Sequence, residues 1–485
     1  MKKLYFILLL TTFAQFVAAQ TEESGSELRV GGGATFAGQE PIRHTTHFNP
    51  TRTLCRLHGF RDNFVQVPVN ALGSRTDRKV DDPTGFFHVR KIDGRWWAID
   101  PEGYYFIHKG VTSIRPGAGP QTPGQIQAFQ DKWGGNVAAW VEDVKSLLKE
   151  YNFTGIGGFS NDANFRTHET EAMPYTAILN FRPGFRAWRI ANGRTAAFQF
   201  VSPAQSVYVF DPEWPQFAMD HARMFAERNP HWVDDPMLFG LFSDNEIYFQ
   251  TMRTDMLREY LLFPVGDPNR DATDLWLRNR LGLAEDDPVP AYDDISTQVR
   301  NEFLYYAGKR YYRYVAKALR TYFPNHMILG SRNFTQERNN EWFMKSQRGY
   351  VDVMSVNYYN VWTPNMELLH NWERWTDAPL IIGEFYTKAM DSGLPNIGGA
   401  GWVVATQTCR GLFYQNYTLA LLQSGTTVGW HWFRYQDNEP PNDNDDSNKG
   451  IVDNNFEPWV ELLEHMREIN ANVYNIIDFF DKRRL

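Results

Sequence analysis

Eight short apolar segments, separated by stretches whose apolar residues recur at helical spacing, predict an α/β protein folded as a (β/α)8 TIM barrel behind a short N-terminal irregular or β extension. Two further observations favour a barrel over an open sheet. A glutamate closes two of the segments, Glu246 after Met237–Phe242 and Glu384 after Leu380–Ile382. No glycine-rich nucleotide fingerprint follows the first segment, as a doubly wound nucleotide fold would require.

Along the chain, residues 21–40 read as a flexible leader and residues 41–85 as irregular or short β structure. Residues 86–99 are two alternating runs joined through Asp93-Gly94, which predicts a hairpin. Asp100-Pro101-Glu102-Gly103 makes the next turn, and Tyr104–Val111 is the first strand. Val137, Trp140, Val141, Val144, Leu147, Leu148 and Tyr151 share one helical face. Phe153–Phe159 is the second strand, the third falls near 176–181, a helix covers Phe217–Glu227, and Met237–Phe242 is the fourth strand. A polar, Asp- and Pro-rich insertion spans about 264–296, and a long aromatic helix over 298–322 ends before Pro324. Then follow strands five (His326–Gly330), six (Val351–Asn357) and seven (Leu380–Ile382), a helix over Val403–Leu422, and strand eight (Thr427–Phe433). A last helix places Trp459, Leu462, Leu463, Met466 and Ile469 together.

The chain has 485 residues, 42% hydrophobic and 22% charged, an ordinary globular balance. The aromatic share of 15% suits either a large core or sugar binding, since a pyranose stacks on flat rings. With a net charge of −8 and no Lys/Arg-rich stripe, nucleic acid is not an expected partner. Lys2-Lys3, the apolar run from Leu4 and the small residues Val17-Ala18-Ala19 read as a signal peptide, so a secreted or periplasmic protein is expected. No stretch is long enough for a membrane span. Cys55 and Cys409 lack metal-ligand spacing; they could pair in an oxidising compartment but read rather as free buried thiols, and neither metal nor organic cofactor is implied. The expected domains are a signal peptide over 1–19, a leader and N-terminal segment over 20–85, and a catalytic barrel over 86–485 carrying the insertion near 264–296.

Barrel chemistry collects at the C-terminal ends of the strands. Those ends supply Arg115, Asn161-Asp162, Asn245-Glu246, Arg332-Asn333, Asn357-Tyr358, Glu384 and Trp430-His431-Trp432. A carboxylate at the end of a buried strand is costly without a function or a partner. Two of them match the acid and nucleophile that flank a glycosidic bond. Glu246 is then the general acid, kept protonated by a negative neighbour and burial, and Glu384 the nucleophile. Asn245 is placed to bond the sugar 2-hydroxyl. Tyr358 either donates its phenol to Glu384 or packs as a core tyrosine. Trp430 or Trp432 forms a sugar platform, unless the side they share is core. Asn357, Arg332, Lys388 and Arg115 complete the candidate substrate contacts, with Lys388, Arg332 and Arg434 as candidates for sulfate or carboxylate groups. His431, opposite in phase to the tryptophans, reads as a packing residue, and Asp352 stands at the wrong end of its strand.

The placement of Asn245-Glu246 and Gly383-Glu384 resembles that of clan A glycoside hydrolases, retaining enzymes on (β/α)8 barrels. Three segments resemble the β-agarase family, glycoside hydrolase family 50, and its relatives: Gly94–Gly103 with Gly110–Pro116, Phe242–Glu246, and Gly429–Asp437. The likeness covers roughly residues 86–470. It implies a retaining glycosidase cleaving β-linked polysaccharide or oligosaccharide of the agar or related algal-galactan type. A clan A enzyme on another glycan (β-galactosidase, mannanase or glucanase) and a non-catalytic glycan-binding barrel remain alternatives. The chain shows no long N-terminal carbohydrate-binding domain of the kind many agarases of that family carry. Its loop Tyr386–Asp391 and acidic stretch Asn442–Asp446 are also distinctive, and these departures bear on substrate more than on reaction.

Overall fold

The computed structural model describes residues 21–24, 27–34, 47–60, 67–116, 122–166, 173–194, 198, 200, 207–441 and 445–483. The segment read as a signal peptide lies outside them. Its centre is an eight-stranded parallel sheet formed, in chain order, by His108–Val111, Gly155–Ile156, Tyr175–Ile178, Leu238–Phe242, Met327–Ile328, Met354–Asn357, Leu380–Phe385 and Thr427–Trp432. Consecutive strands are neighbours, and the eighth pairs with the first. The fifth and sixth, at the ends of that order, are themselves linked: Asp352 N–H donates to Ile328 O at 2.9 Å and Asn333 N–H to Ser355 O at 3.0 Å. The sheet therefore curls round on itself, an arrangement consistent with a barrel.

Each strand falls within or beside its expected segment, because strands buried on both faces read as near-continuous apolar runs. The helices that follow the strands cover the outside: Val137–Glu150, Trp214–Arg228, Thr297–Tyr322, Met366–Thr376, Gln407–Ser424 and Val460–Ala471. Capping chemistry sets their starts. Asn136, Ser296, Asn365 and Thr406 each accept a backbone N–H of the first turn. The expected insertion contains a helix of its own, Pro268–Leu281, started by Asp267 and stopped by Gly282 in the left-handed region.

Three expectations are corrected. The first strand, expected over Tyr104–Val111, is two strands, because Tyr104–Phe106 turns away to join the antiparallel hairpin sheet. The helix expected from Val403 begins at Gln407, since Trp402–Val404 is a strand. Within the segment read as a flexible leader, Glu27–Ala34 pairs antiparallel with both Phe48–Thr51 and Trp402–Val404.

The hairpin His88–Ile92/Arg95–Ile99 turns through Asp93 and Gly94, both at positive φ, as the Asp-Gly signal predicts. With Tyr104–Phe106 and Arg75–Lys79 it makes a four-stranded cover at the N-terminal end of the curled sheet. Phe87 and Phe106 of this cover meet Phe239, Met327, Val353, Ile381 and Val428 from the parallel strands in one apolar layer. Above that layer His431 and His108 face each other inside the sheet, His431 Nε2 to His108 Nδ1 at 3.0 Å. Glycine makes their space: a Cβ on Gly155 would stand 2.3 Å from the His108 ring, and one on Gly157 2.9 Å from that of His431.

Candidate active site

Glu246 and Glu384 both emerge at the C-terminal rim of the curled sheet, after its fourth strand and within its seventh. Glu246 adopts φ 52°, a left-handed conformation uncommon outside glycine. Arg332 (φ 52°) and Phe159 (φ 63°), after the fifth and second strands, do the same. Such backbone costs of order 1–3 kcal/mol each and persists where surrounding structure imposes it. Here the three converge, with the Arg332 guanidinium 5.2 Å from the Phe159 ring and 5.0 Å from that of Phe242.

Each carboxylate has its own holder. Asn357 Nδ2 donates to Glu246 Oε1 at 2.8 Å and to Asn245 Oδ1 at 3.2 Å. Arg332 Nη2 donates to Glu384 Oε1 and to Gly383 O, and the Tyr359 hydroxyl donates to Glu384 Oε2. The two arrangements cross at Gly383. A Cβ there would lie 2.6 Å from Asn357 Oδ1 and 3.4 Å from the Arg332 guanidinium, so only glycine lets both side chains pass. Burial, and then the nearby charge of Glu384, pushes the Glu246 carboxyl well above the usual glutamate range. Burial likewise pushes the Tyr359 phenol far up, so it remains a protonated donor. One glutamate is thus held towards its acid form, while the other accepts a directed bond on each oxygen.

Several expected contacts are brought to this place. Asn245 is half-buried beside Glu246. Arg332 and Asn357 are fully buried between the carboxylates. Arg115 stands half-buried after the first strand.

Others are not. Tyr358 does not reach Glu384; its hydroxyl accepts the Asn365 N–H at 3.4 Å, and its ring packs edge-on to Trp372. The donor is the next residue, Tyr359, because Asn357 and Tyr359 face inward and Tyr358 outward. Trp430 and Trp432 are fully buried and cannot serve as a sugar platform: their indole N–H groups bond Tyr414 Oη at 2.8 Å and Lys449 O at 3.0 Å. A register shift after Thr427 resets the alternation of the eighth strand, turning His431 inward and both tryptophans towards the helices. Lys388 is fully buried and ion-paired with Asp446 at 3.0 Å, which Lys449 and the Tyr386 hydroxyl also hold. It is a structural cation rather than a sulfate contact.

Sequence reasoning missed Tyr359, Phe159 and Glu337. Phe159 is 37% exposed at the rim. Glu337 is buried and accepts the N–H groups of Phe334 and Thr335, fixing the loop that carries Arg332. Tyr359 had a signal in the doubled Tyr358-Tyr359, but the sequence alone does not say which ring turns inward. The cavity of about 190 Å³ lined by Lys109, Lys149 and Asn70 lies at the other end of the sheet and brings no carboxylate pair together. Among the described residues no group of three or more His, Cys, Asp or Glu side chains is placed to hold a metal, and no helix is long and apolar enough to cross a membrane.

No protein-family model matches the chain. It is 25% identical over 469 residues to beta-agarase B of Vibrio sp. (strain JT0107), covering 81% of this chain and 48% of that protein. Against beta-agarase A of the same organism the identity is 24%, over 82% of this chain and 47% of the other. The chain thus spans about half the length of the curated relatives it matches. Among solved structures, that of BpGH50 superposes with a TM-score of 0.80 at 27% identity, covering 95% of this chain and 99% of that one. An exo-beta-agarase superposes with a TM-score of 0.70 at 22% identity, over 84% and 68% of the two chains, a likeness of fold. The chain resembles the β-agarase family, glycoside hydrolase family 50.

Proposed function

We propose that this chain, similar as it is to the family 50 β-agarases, is an exported glycoside hydrolase cleaving β-glycosidic bonds in an agar-type or related algal galactan with retention. The observation that carries the proposal is the differently held glutamate pair: Glu246 on Asn357 and pushed towards its acid form, Glu384 directed by Arg332 and Tyr359. On this reading the curled sheet is a (β/α)8 barrel of the clan A kind. Residues 86–485 are its catalytic unit, behind a signal peptide over 1–19 and a segment over 20–85.

In the first step a Glu384 oxygen attacks the anomeric carbon while Glu246 gives its proton to the departing glycosidic oxygen, leaving a glycosyl–Glu384 ester. In the second, Glu246, now a carboxylate, takes a proton from water, which attacks the same carbon and releases Glu384. Arg332 and Tyr359 steady the carboxylate as it leaves. Asn357 occupies the carboxamide oxygen of Asn245, which leaves the Asn245 NH2 to donate to the sugar 2-hydroxyl. Phe159, exposed at the rim, replaces the buried tryptophans as the candidate stacking surface.

The test is reducing-sugar release from agarose, sulfated galactans and unrelated plant polysaccharides by the wild type, Glu246→Gln and Glu384→Gln. Activity on an agar-type substrate, lost in both variants, supports the proposal. Activity confined to another glycan keeps the mechanism and discards the substrate. Binding without turnover by the wild type leaves a glycan-binding barrel.

A further inference from the structure

The cations around the glutamate pair differ in what they hold. Arg332 bonds Glu384, Lys388 and Lys449 are paired with Asp446, and Arg410 bonds Thr387 O, Gln407 and Gly450 O. Arg332 also keeps Nε and Nη1 without an acceptor, but it is ion-paired with Glu384, whereas Arg434 makes no ion pair among the described residues. It follows the eighth strand, is 7% exposed, and its Nε and Nη2 meet no protein acceptor. Its position is nevertheless fixed, since its backbone N–H donates to Lys449 O at 3.0 Å and its carbonyl accepts Ile451 N–H at 3.1 Å. Arg115, after the adjacent first strand, also has an unpartnered Nε. Burial, and then the charge of Arg115, lowers the Arg434 guanidinium to about 10, while Asp437, Asp446 and Glu384 act the other way. Arg434 is therefore still a cation at neutral pH, buried beside a second guanidinium and close enough to Glu384 to feel its charge.

A guanidinium is planar, always charged under working conditions and matched to two oxygens at once. Sulfate esters and carboxylates present such oxygens, and bonds to them are about twice as strong as neutral ones. We propose that Arg434, with Arg115 beside it, forms a subsite for an anionic substituent, a sulfate ester or a carboxylate, on the sugar that approaches Glu384. This rests on the glycoside hydrolase reading above and names a feature of its substrate. It also moves the anion contact away from Lys388 and Arg332, whose charges are already matched by Asp446 and Glu384.

The test compares kcat/KM on oligosaccharides of one galactan backbone, unsubstituted, sulfated or carboxylated, for the wild type, Arg434→Gln, Arg434→Lys and Arg115→Gln. The ratio of charged to unsubstituted kcat/KM is expected to fall by about 10- to 100-fold in Arg434→Gln, the worth of one or two charge-assisted bonds. It should recover in part in Arg434→Lys, and fall by less in Arg115→Gln. The preference between the two charged substrates identifies the group. Equal loss on all substrates, as expected if Arg434 donates to neutral hydroxyls, overturns the proposal, and so does an unchanged ratio. Should Arg434→Gln not fold, the same ratio in the half-exposed Arg115→Gln decides. If the wild type cleaves none of the three, the enzyme reading fails on its own. Calorimetric binding of the sulfated oligosaccharide then judges the subsite: weakening in Arg434→Gln upholds it, and equal binding removes it.

Discussion

Replacing Tyr359 with Phe, and separately Tyr358 with Phe, isolates one hydroxyl in each case. Both rings are buried and both variants delete a single oxygen, so cavity effects are matched. Only the Tyr359 hydroxyl donates to Glu384 Oε2; that of Tyr358 accepts a long bond of 3.4 Å from Asn365 N–H. A hydrogen bond to a charged group is worth about 1.5–3 kcal/mol, against about 0.5–1.5 kcal/mol for a neutral one. If the Tyr359 bond holds the nucleophile in place and steadies it on departure, Tyr359→Phe should lower kcat/KM by about 10- to 150-fold. Tyr358→Phe should stay within about twofold in kcat/KM and lose at most about 1 kcal/mol of stability. The assay is initial rate on a soluble oligosaccharide, with thermal melting of both variants as the control for folding. Equal rate losses in the two, or a larger loss in Tyr358→Phe, would show that the inward ring has been misassigned.

Two further outcomes follow from the same geometry. Asn357 donates to the Glu246 carboxylate and so favours its charged form; Asn357→Ala should raise the Glu246 pKa further and move the basic limb of the kcat/KM profile to higher pH. A limb that stays or moves down contradicts that assignment. Lys388→Met leaves Asp446 buried with one cation fewer, and about 3 kcal/mol of stability should be lost in urea unfolding, with sulfated and neutral substrates affected alike. A selective loss on sulfated substrate would return Lys388 to the substrate contacts.

The strands and the two carboxylates were legible because each rests on a local pattern: an apolar run, a terminal glutamate. What the sequence hid was phase. Pleat alternation predicts facing only while register is unbroken, and register slips between Val356 and Asn357 and again after Thr427. The first slip lies just before Asn357, Tyr358 and Tyr359; the second turns Trp430 and Trp432 outward. In a strand buried on both faces, apolar residues point both ways, so composition does not reveal the error. The fate of Lys388 was hidden for another reason. Its partner Asp446 lies far along the chain in an acidic stretch with no recognisable period, and only the fold brings them together.

The cover at the N-terminal end of the sheet joins segments that lie far apart along the chain. Arg75 reaches Asp478 at 2.8 Å across 403 positions, and Arg95 reaches Asp481 at 2.7 Å across 386. Both guanidiniums are about 1% exposed; Arg75 has a second partner in Asp77 at 2.7 Å, whereas the carboxylate that Arg95 pairs with is that of Asp481, so Arg95 gains its counter-charge only when the helix Val473–Asp481 docks. That helix follows every strand of the cover and of the curled sheet in chain order. The cover therefore cannot seal until that helix has been made, and long-range closure of this kind also slows folding. Such a delay keeps the preceding chain threadable, which suits the export proposed above.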